Sequence, residues 1–308
     1  MTDLRNELAD VLRGRVLRAI QGGTLAHGDR LPSARELETE FSIDHRVVLD
    51  AYRILAEEGL VELRPRGGIY VTAAAGAGAV GLAAETWLVE MLAQGLSREI
   101  PVTELHEWVH DAALTLRLRA VAVQETADQV EGMRRELEDQ YGLEATGLHP
   151  ADLTADGARA ELRYADLLVT TPALEAQVRP VTERLGKTLI VVDIRQDLIA
   201  GEWRLLLRRP FWVLVGDDQF VGVLERFFAN TPGSENLRLL VAGRDDLGVI
   251  PEDASVYVTR NARLKLGDSP VPGRVVPSAR LFSPESSLSL IRFIVSANLA
   301  AMTRVRPG

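Results

Sequence analysis

The chain has 308 residues, 46% of them apolar, no cysteine and a net charge of −9. That length predicts two or three domains with ample core, and the lack of Cys excludes a disulfide framework, a zinc ribbon and a thiol nucleophile. An acidic balance argues against a protein coated in nucleic acid; with no run long and apolar enough to span a membrane and no basic-then-apolar leader, a soluble cytoplasmic protein is expected.

Leu4, Leu8, Leu12, Val16 and Ile20 recur at every fourth position, which predicts an amphipathic helix over residues 3–21, stopped by Gln21-Gly22-Gly23. Ser33 followed by Glu36 is an S-x-x-E capping box, so a second helix should run from Ala34 to about Phe41. Asp44 caps a third through about Glu58, with Val48, Ala51, Ile54 and Leu55 at helical spacing on its inner face. The outer face offers His45, Arg46, Leu49, Asp50 and Arg53. Gly59 ends the helix, Leu60 to Leu63 and Ile69 to Val71 read as two short strands, and Arg64-Pro65-Arg66-Gly67-Gly68 forms a basic turn between them. Three helices followed by a hairpin with a basic tip predict a winged helix-turn-helix, whose third helix enters the major groove.

Residues 1–73 hold ten Arg against twelve Asp and Glu, so any DNA contact must be local. The candidate contacts are Ser33, Arg35, His45, Arg46, Arg53, Arg64, Arg66, Gly67 and Gly68.

These residues resemble the GntR family of bacterial transcription regulators. The family's G-D-x-L-P-S-x-R-x-L run appears as Gly28 to Leu37, its E-G-L-V as Glu58 to Val61, and its R-x-G-x-Y-V ending as Arg66 to Val71. The resemblance implies a double-stranded DNA operator and a homodimer. Where the family usually carries Ser-Arg-x-Thr-Val-Arg this chain has Asp44 to Leu49, so the operator sequence does not carry over.

Residues 74–80, within a run of Ala and Gly, read as a linker that closes a DNA-binding domain at residues 1–73. Leu82 to Leu96 and Val102 to Leu116 predict two helices, a bridge over residues 81–117 and a candidate dimer contact; the same apolar residues can equally pad a neighbouring core. The bridge contains His106-Glu107-Trp108-Val109-His110, the H-E-x-x-H spacing that places two imidazoles on one helical face. It has no third ligand at a diagnostic spacing, and two ordinary surface histidines are the simpler reading, so no metal is assigned.

Over residues 118–308 apolar strand-like runs alternate with helical stretches. Strands are expected at Arg119 to Gln124, Asp166 to Thr170, Thr188 to Ile194, Phe211 to Gly216, Leu237 to Ala242, Ser255 to Thr259 and Arg274 to Val276. Helices are expected at Ala127 to Tyr141, Pro172 to Leu185, Gln219 to Phe228 and Pro284 to Met302. This predicts an α/β domain with a mostly parallel sheet, undivided or split into lobes near 118–208 and 209–308. The whole plan is similar to the PlmA-type members of the family, without effector residues that can be carried over.

Ligands of open α/β sheets bind beyond the carboxyl ends of the strands. Those ends supply the effector-site candidates Glu125, Thr170, Thr171, Asp193, Arg195, Asp217 and Arg244. No glycine-rich dinucleotide fingerprint, phosphate loop or nucleophile elbow is present, so no catalytic residue and no cofactor are assigned. The expectation is a GntR-type regulator whose α/β domain senses a small molecule. The alternatives are control by a protein partner docked on that domain and a metal-dependent enzyme using residues 106–110.

Overall fold

The computed structural model describes residues 2–21, 25–65, 67–72, 79–154, 159–195, 199–277 and 280–305. The expected linker falls largely outside the described residues, as does Arg66.

The N-terminal part is a winged helix. Helices α1 (Thr2–Gln21), α2 (Ala34–Phe41) and α3 (His45–Glu57) precede strands β1 (Val61–Arg64) and β2 (Gly68–Val71), which pair antiparallel. The capping box at Ser33 is complete, with the Glu36 N–H donating to Ser33 Oγ at 3.3 Å and the Ser33 N–H to Glu36 Oε2 at 2.7 Å; such a cap is worth about 1 kcal/mol. Ser42, in the left-handed region at φ 51°, turns the chain after α2, and Asp44 caps α3 by accepting from the Arg46 N–H at 2.8 Å. Leu8, Leu37, Phe41, Val48 and Leu55 bury the inner faces of the three helices together. Strand β1 starts one residue later than expected because the Leu60 N–H closes α3 on the Leu55 carbonyl, past Gly59 at φ 74°. The extended segment 29–31 adds to the wing: Leu31 N–H donates to Ile69 O and Val71 N–H to Asp29 O.

Helices α4 (Ala79–Leu96) and α5 (Val102–Leu114) follow as a hairpin. Beyond it lie two four-stranded, all-parallel sheets. The first contains β3 (Arg119–Val123), β4 (Glu144–Leu148), β5 (Leu167–Thr170) and β6 (Thr188–Val191), in the order β4-β3-β5-β6. Its helices are α6 (Ala127–Tyr141), α7 (Arg159–Tyr164) and α8 (Glu175–Leu185). The second contains β7 (Phe211–Val215), β8 (Leu237–Val241), β9 (Ser255–Val258) and β10 (Arg274–Val275), in the order β10-β9-β7-β8. It carries α9 (Arg204–Leu206), α10 (Asp218–Phe228) and α11 (Arg260–Leu266). In both sheets the first strand lies between the second and the third, with the fourth outside the third, so one topology occurs twice. The period of two along β3 sends Ala120 and Ala122 to one face and Val121 and Val123 to the other, and both faces are covered.

Strand β4 was not expected. Its Glu-Ala-Thr-Gly-Leu lacks a β-branched run because the helix above it leaves little room: a Cβ on Gly147 would stand 2.1 Å from Val130 Cγ1. The closing helix α12 (Pro284–Val305) also departs from expectation. A second lobe at 209–308 would place it on the second sheet, whereas Leu290 and Ile294 pack with Met133, Leu137 and Leu167 of the first. Phe282 bridges to Ile194 as the chain crosses back. Buried Asn298 on α12 ties the hairpin down, accepting from the Leu116 N–H at 2.7 Å and donating to the Ala112 carbonyl at 2.9 Å.

Among the described residues no helix is long and apolar enough to cross a membrane.

Candidate nucleic-acid interface and inter-lobe cavity

The reading face of the winged helix is set by α3. Buried Val48, Ala51, Tyr52 and Leu55 fix its inner side, and the Tyr52 hydroxyl donates to the Pro32 carbonyl at 2.8 Å, which ties α3 to the loop before α2. His45, Arg46 and Arg53 stand exposed on the other side, joined by Arg35 of α2. Arg53 pairs with Asp50 at 2.5 Å, and the His45 ring lies 3.8 Å from Glu38. The exposed i,i+3 pair of Arg53 with Asp50 is worth only about a few tenths of a kcal/mol, so the Arg53 guanidinium is readily given up to a phosphate. Ser33 spends its hydroxyl on the cap.

At the wing Arg64 pairs with Glu62 at 2.9 Å and lies 4.3 Å from the centre of the Tyr70 ring. Gly67 and Gly68 form the turn; Gly68 has φ 113°, where a side chain would be strained and its Cβ would meet Arg30 Nε at 3.3 Å. Arg30 bridges to Tyr70 and is exposed beside the wing tip, a cation that the sequence reading passed over. Its signal was its place inside the Gly28 to Leu37 run.

Residues 8–71 match the family model described as "Bacterial regulatory proteins, gntR family". The N-terminal domain is a GntR-family helix-turn-helix domain. A curated relative of the GntR domain, an HTH-type transcriptional regulator of Mycobacterium tuberculosis (strain ATCC 25618 / H37Rv), is 35% identical over 65 residues. Those residues are 21% of this chain and 54% of the relative, so the chain spans about half of that protein's length. Among solved structures, a GntR family transcriptional regulator from Listeria monocytogenes is 19% identical, with a TM-score of 0.25, over 34% of this chain and 91% of that one. A transcriptional regulator from Oenococcus oeni is 21% identical, with a TM-score of 0.25, over 33% and 88%.

The GntR domain is held against the second lobe. Its apolar core continues into Leu205, Leu206, Leu207 and Phe211. Beside that contact lies a buried ion network: Arg15 donates to Glu202 at 2.5 Å and to Glu40 at 2.6 Å, and Arg18 donates to Glu202 at 2.7 Å. Burial works against the Arg15 charge, but Glu40 and Glu202 outweigh it and hold the guanidinium protonated. Arg204 pairs with Glu7, and Arg209 donates to the Thr39 carbonyl. All of these contacts use α1 and the rear of α2, and they leave Arg35, His45, Arg46 and Arg53 exposed.

A cavity of about 230 Å³ lies between the lobes. The first lobe contributes Gln124, Met133 and Thr171, and the second contributes Trp203, Phe220, Phe228 and Tyr257. Trp203 organises the aromatic side: it stacks on Phe228 at 5.1 Å and meets Phe211 edge-on at 5.2 Å. Gln124 is buried directly after β3, and among the described residues its side chain makes only long contacts, donating at 3.3 Å to Thr171 Oγ1 and at 3.9 Å to Met133 Sδ.

Of the seven effector-site candidates, Thr171 and Arg195 line this cavity. Glu125 lines a separate polar recess with His149, Gln177 and Arg226. The other four are placed elsewhere. Thr170 is buried and donates to the Val123 carbonyl at 2.9 Å; Asp193 is exposed, and its backbone bonds to Ser283 and Ser286. Asp217 caps α10 and also accepts from the Ala127 N–H of the first lobe; Arg244 pairs with Asp218 and Asp245. Strand ends supply such caps whether or not a ligand binds, which is why residue type alone could not sort them.

The carboxyl ends of the second sheet are occupied from within the chain. Asp128, buried on α6, accepts from the Gly216 N–H at 3.0 Å to each carboxylate oxygen, from Asn261 Nδ2 at 3.1 Å and from the Thr259 hydroxyl. Sequence reasoning missed this aspartate because an acidic residue in the first turn of a helix is ordinary.

His106 and His110 are exposed on α5. Among the described residues no group of three or more His, Asp or Glu side chains is placed to hold a metal ion.

Proposed function

We propose that this protein is a sequence-specific transcription regulator of the GntR type, working in the cytoplasm as a homodimer and controlled by a small molecule held between its two lobes. In this reading residues 1–73 read DNA, 74–80 link, 81–117 form the helical bridge and 118–308 sense the ligand. The observation that carries it is the capped recognition helix, with His45, Arg46 and Arg53 turned away from the core and the wing beside them.

One such helix reads a half-site, so a full operator calls for a second copy. Trp87, Val89, Leu96, Trp108, Val109 and Leu114 of the hairpin are each about half exposed, and this apolar surface is the candidate seat of that copy's own hairpin. The small-molecule reading rests on the inter-lobe cavity, where the apolar lining surrounds a few polar groups including Thr171 and Arg195.

Fluorescence anisotropy on genomic fragments selected by the purified protein tests the DNA-binding part. Arg46→Ala is expected to weaken operator binding by about 1–3 kcal/mol without moving the melting temperature. Undiminished affinity in both Arg46→Ala and Arg66→Ala would sink the assignment.

A further inference from the structure

The cavity and the GntR domain share one short piece of chain. Residues Ile199–Trp203 form a single π-helical turn that passes directly into α9. Such turns are rare and occur disproportionately at functional sites. Trp203 is the aromatic wall of the cavity. Its neighbour Glu202 also borders the cavity, is 6% exposed, and accepts from both Arg15 and Arg18 of α1. Leu205 and Leu206 continue the same segment into the apolar contact under the GntR domain. A molecule in the cavity and the first helix of the DNA reader therefore both rest on residues 202–206.

We propose that this segment couples the two: a compact, flat, uncharged aromatic molecule packs on Trp203 and stabilises the arrangement in which Glu202 holds Arg15 and Arg18. The ligand class follows from the lining. Trp203, Phe220, Phe228 and Tyr257 offer ring faces and edges, and the buried Gln124 amide offers a donor and an acceptor with only long partners. The charged side chains of the lining are already engaged: Asp128 by Thr259, Glu202 by Arg15, Arg260 by Asp139, and Arg195 also has a partner. About 230 Å³ suits a one- or two-ring molecule. The coupling follows from linkage, because a ligand that binds this arrangement more tightly than an undocked one shifts the population toward it, and docking must tighten the ligand by the same factor. Since docking leaves the recognition face uncovered, the effect is on how the readers are oriented, not on whether they are blocked. The inference rests on reading the cavity as a ligand site.

The experiment uses the full chain with indole and benzamide as probes. Calorimetric titration gives their affinities in the wild type, in Arg18→Gln and in Glu202→Gln, and amide hydrogen exchange follows residues 9–18 with and without saturating probe. The expected result is slower exchange over residues 9–18 when the probe is bound, and an affinity lower by about fivefold or more in the variants. Arg18→Gln removes a single bond from the network and guards against a Glu202→Gln protein that fails to fold. Saturable binding with unchanged exchange in the wild type overturns the coupling and leaves the cavity reading standing. If neither probe binds at millimolar concentration, the aromatic cavity reading fails and the coupling goes with it.

Discussion

The two parallel sheets share one strand order and differ in what lies at their carboxyl ends. In the first, Gln124 and Thr171 after β3 and β5 face the inter-lobe cavity with side-chain hydrogen bonds of 3.3 Å or longer. In the second, Gly216 and Thr259 after β7 and β9 grip Asp128, a carboxylate from the first lobe. An open α/β sheet concentrates donors at that edge whatever its role. Here both edges border the cavity, but the second is gripped by a carboxylate from the other lobe while the side chains of the first have only long partners. Topology alone does not tell the two edges apart; the partners of the strand-end groups do.

Removing the shared carboxylate should give the largest effect. Asp128→Ala leaves the Gly216 N–H, the Thr259 hydroxyl and the Asn261 amide without their acceptor in a buried place, and a loss of about 2–4 kcal/mol is expected in urea unfolding. A loss under 1 kcal/mol would mean that water replaces the carboxylate and that the second edge is as open as the first.

Glu136, further along the same helix, sharpens the contrast by pH. Burial pushes its carboxyl up, against the pull of the Leu281 and Phe282 N–H groups. A raised value means that folding favours the protonated form, so its contribution is fully present below its ordinary value of 4.5 and is lost as pH rises through the raised one. Glu136→Gln keeps an acceptor for the Leu281 N–H and cannot ionise. Its melting temperature should exceed that of the wild type near neutrality, with the gap closing in acid; a gap that widens in acid contradicts the assignment.

The smallest effect is expected at the open edge. Thr171→Val gives up only the long contacts with Gln124, and stability should stay within about 0.5 kcal/mol of the wild type, measured in the same urea series. A cost approaching that of Asp128→Ala would show that the first edge is also structural.

Much of this was legible in the residues. The capping box at Ser33, the Asp44 cap and the Gly59 stop are local rules, and they place α2 and α3 within a residue of their observed bounds. The alternation beyond Leu118 yields the parallel sheets for the same reason, since strands buried on both faces read as short apolar runs. What stayed hidden depends on contacts distant in sequence. Strand β4 is disguised by Gly147, whose smallness serves Val130; Asp128 looks like a helix-start acid until Thr259, 131 residues later, meets it. Glu202 sits in a stretch with no periodicity, and only the fold brings it to Arg15, 187 residues away.

The closing helix carries a consequence for how the chain is made. The first sheet is built from residues 119–191, yet one of its two faces is covered jointly by Met133 and Leu137 of α6 and by Leu290 and Ile294 of α12. During vectorial synthesis on the ribosome those strands emerge about a hundred residues before their lid, and the whole second sheet is translated in between. The winged helix finds the partners of its own three-helix core and wing within the first 72 residues and can fold early, with only its docking contacts to Glu202 and Leu205 to Phe211 made later, whereas the first lobe must wait with part of an apolar face uncovered. Such a delay leaves apolar surface of the nascent first lobe bare for longer than that of the DNA reader.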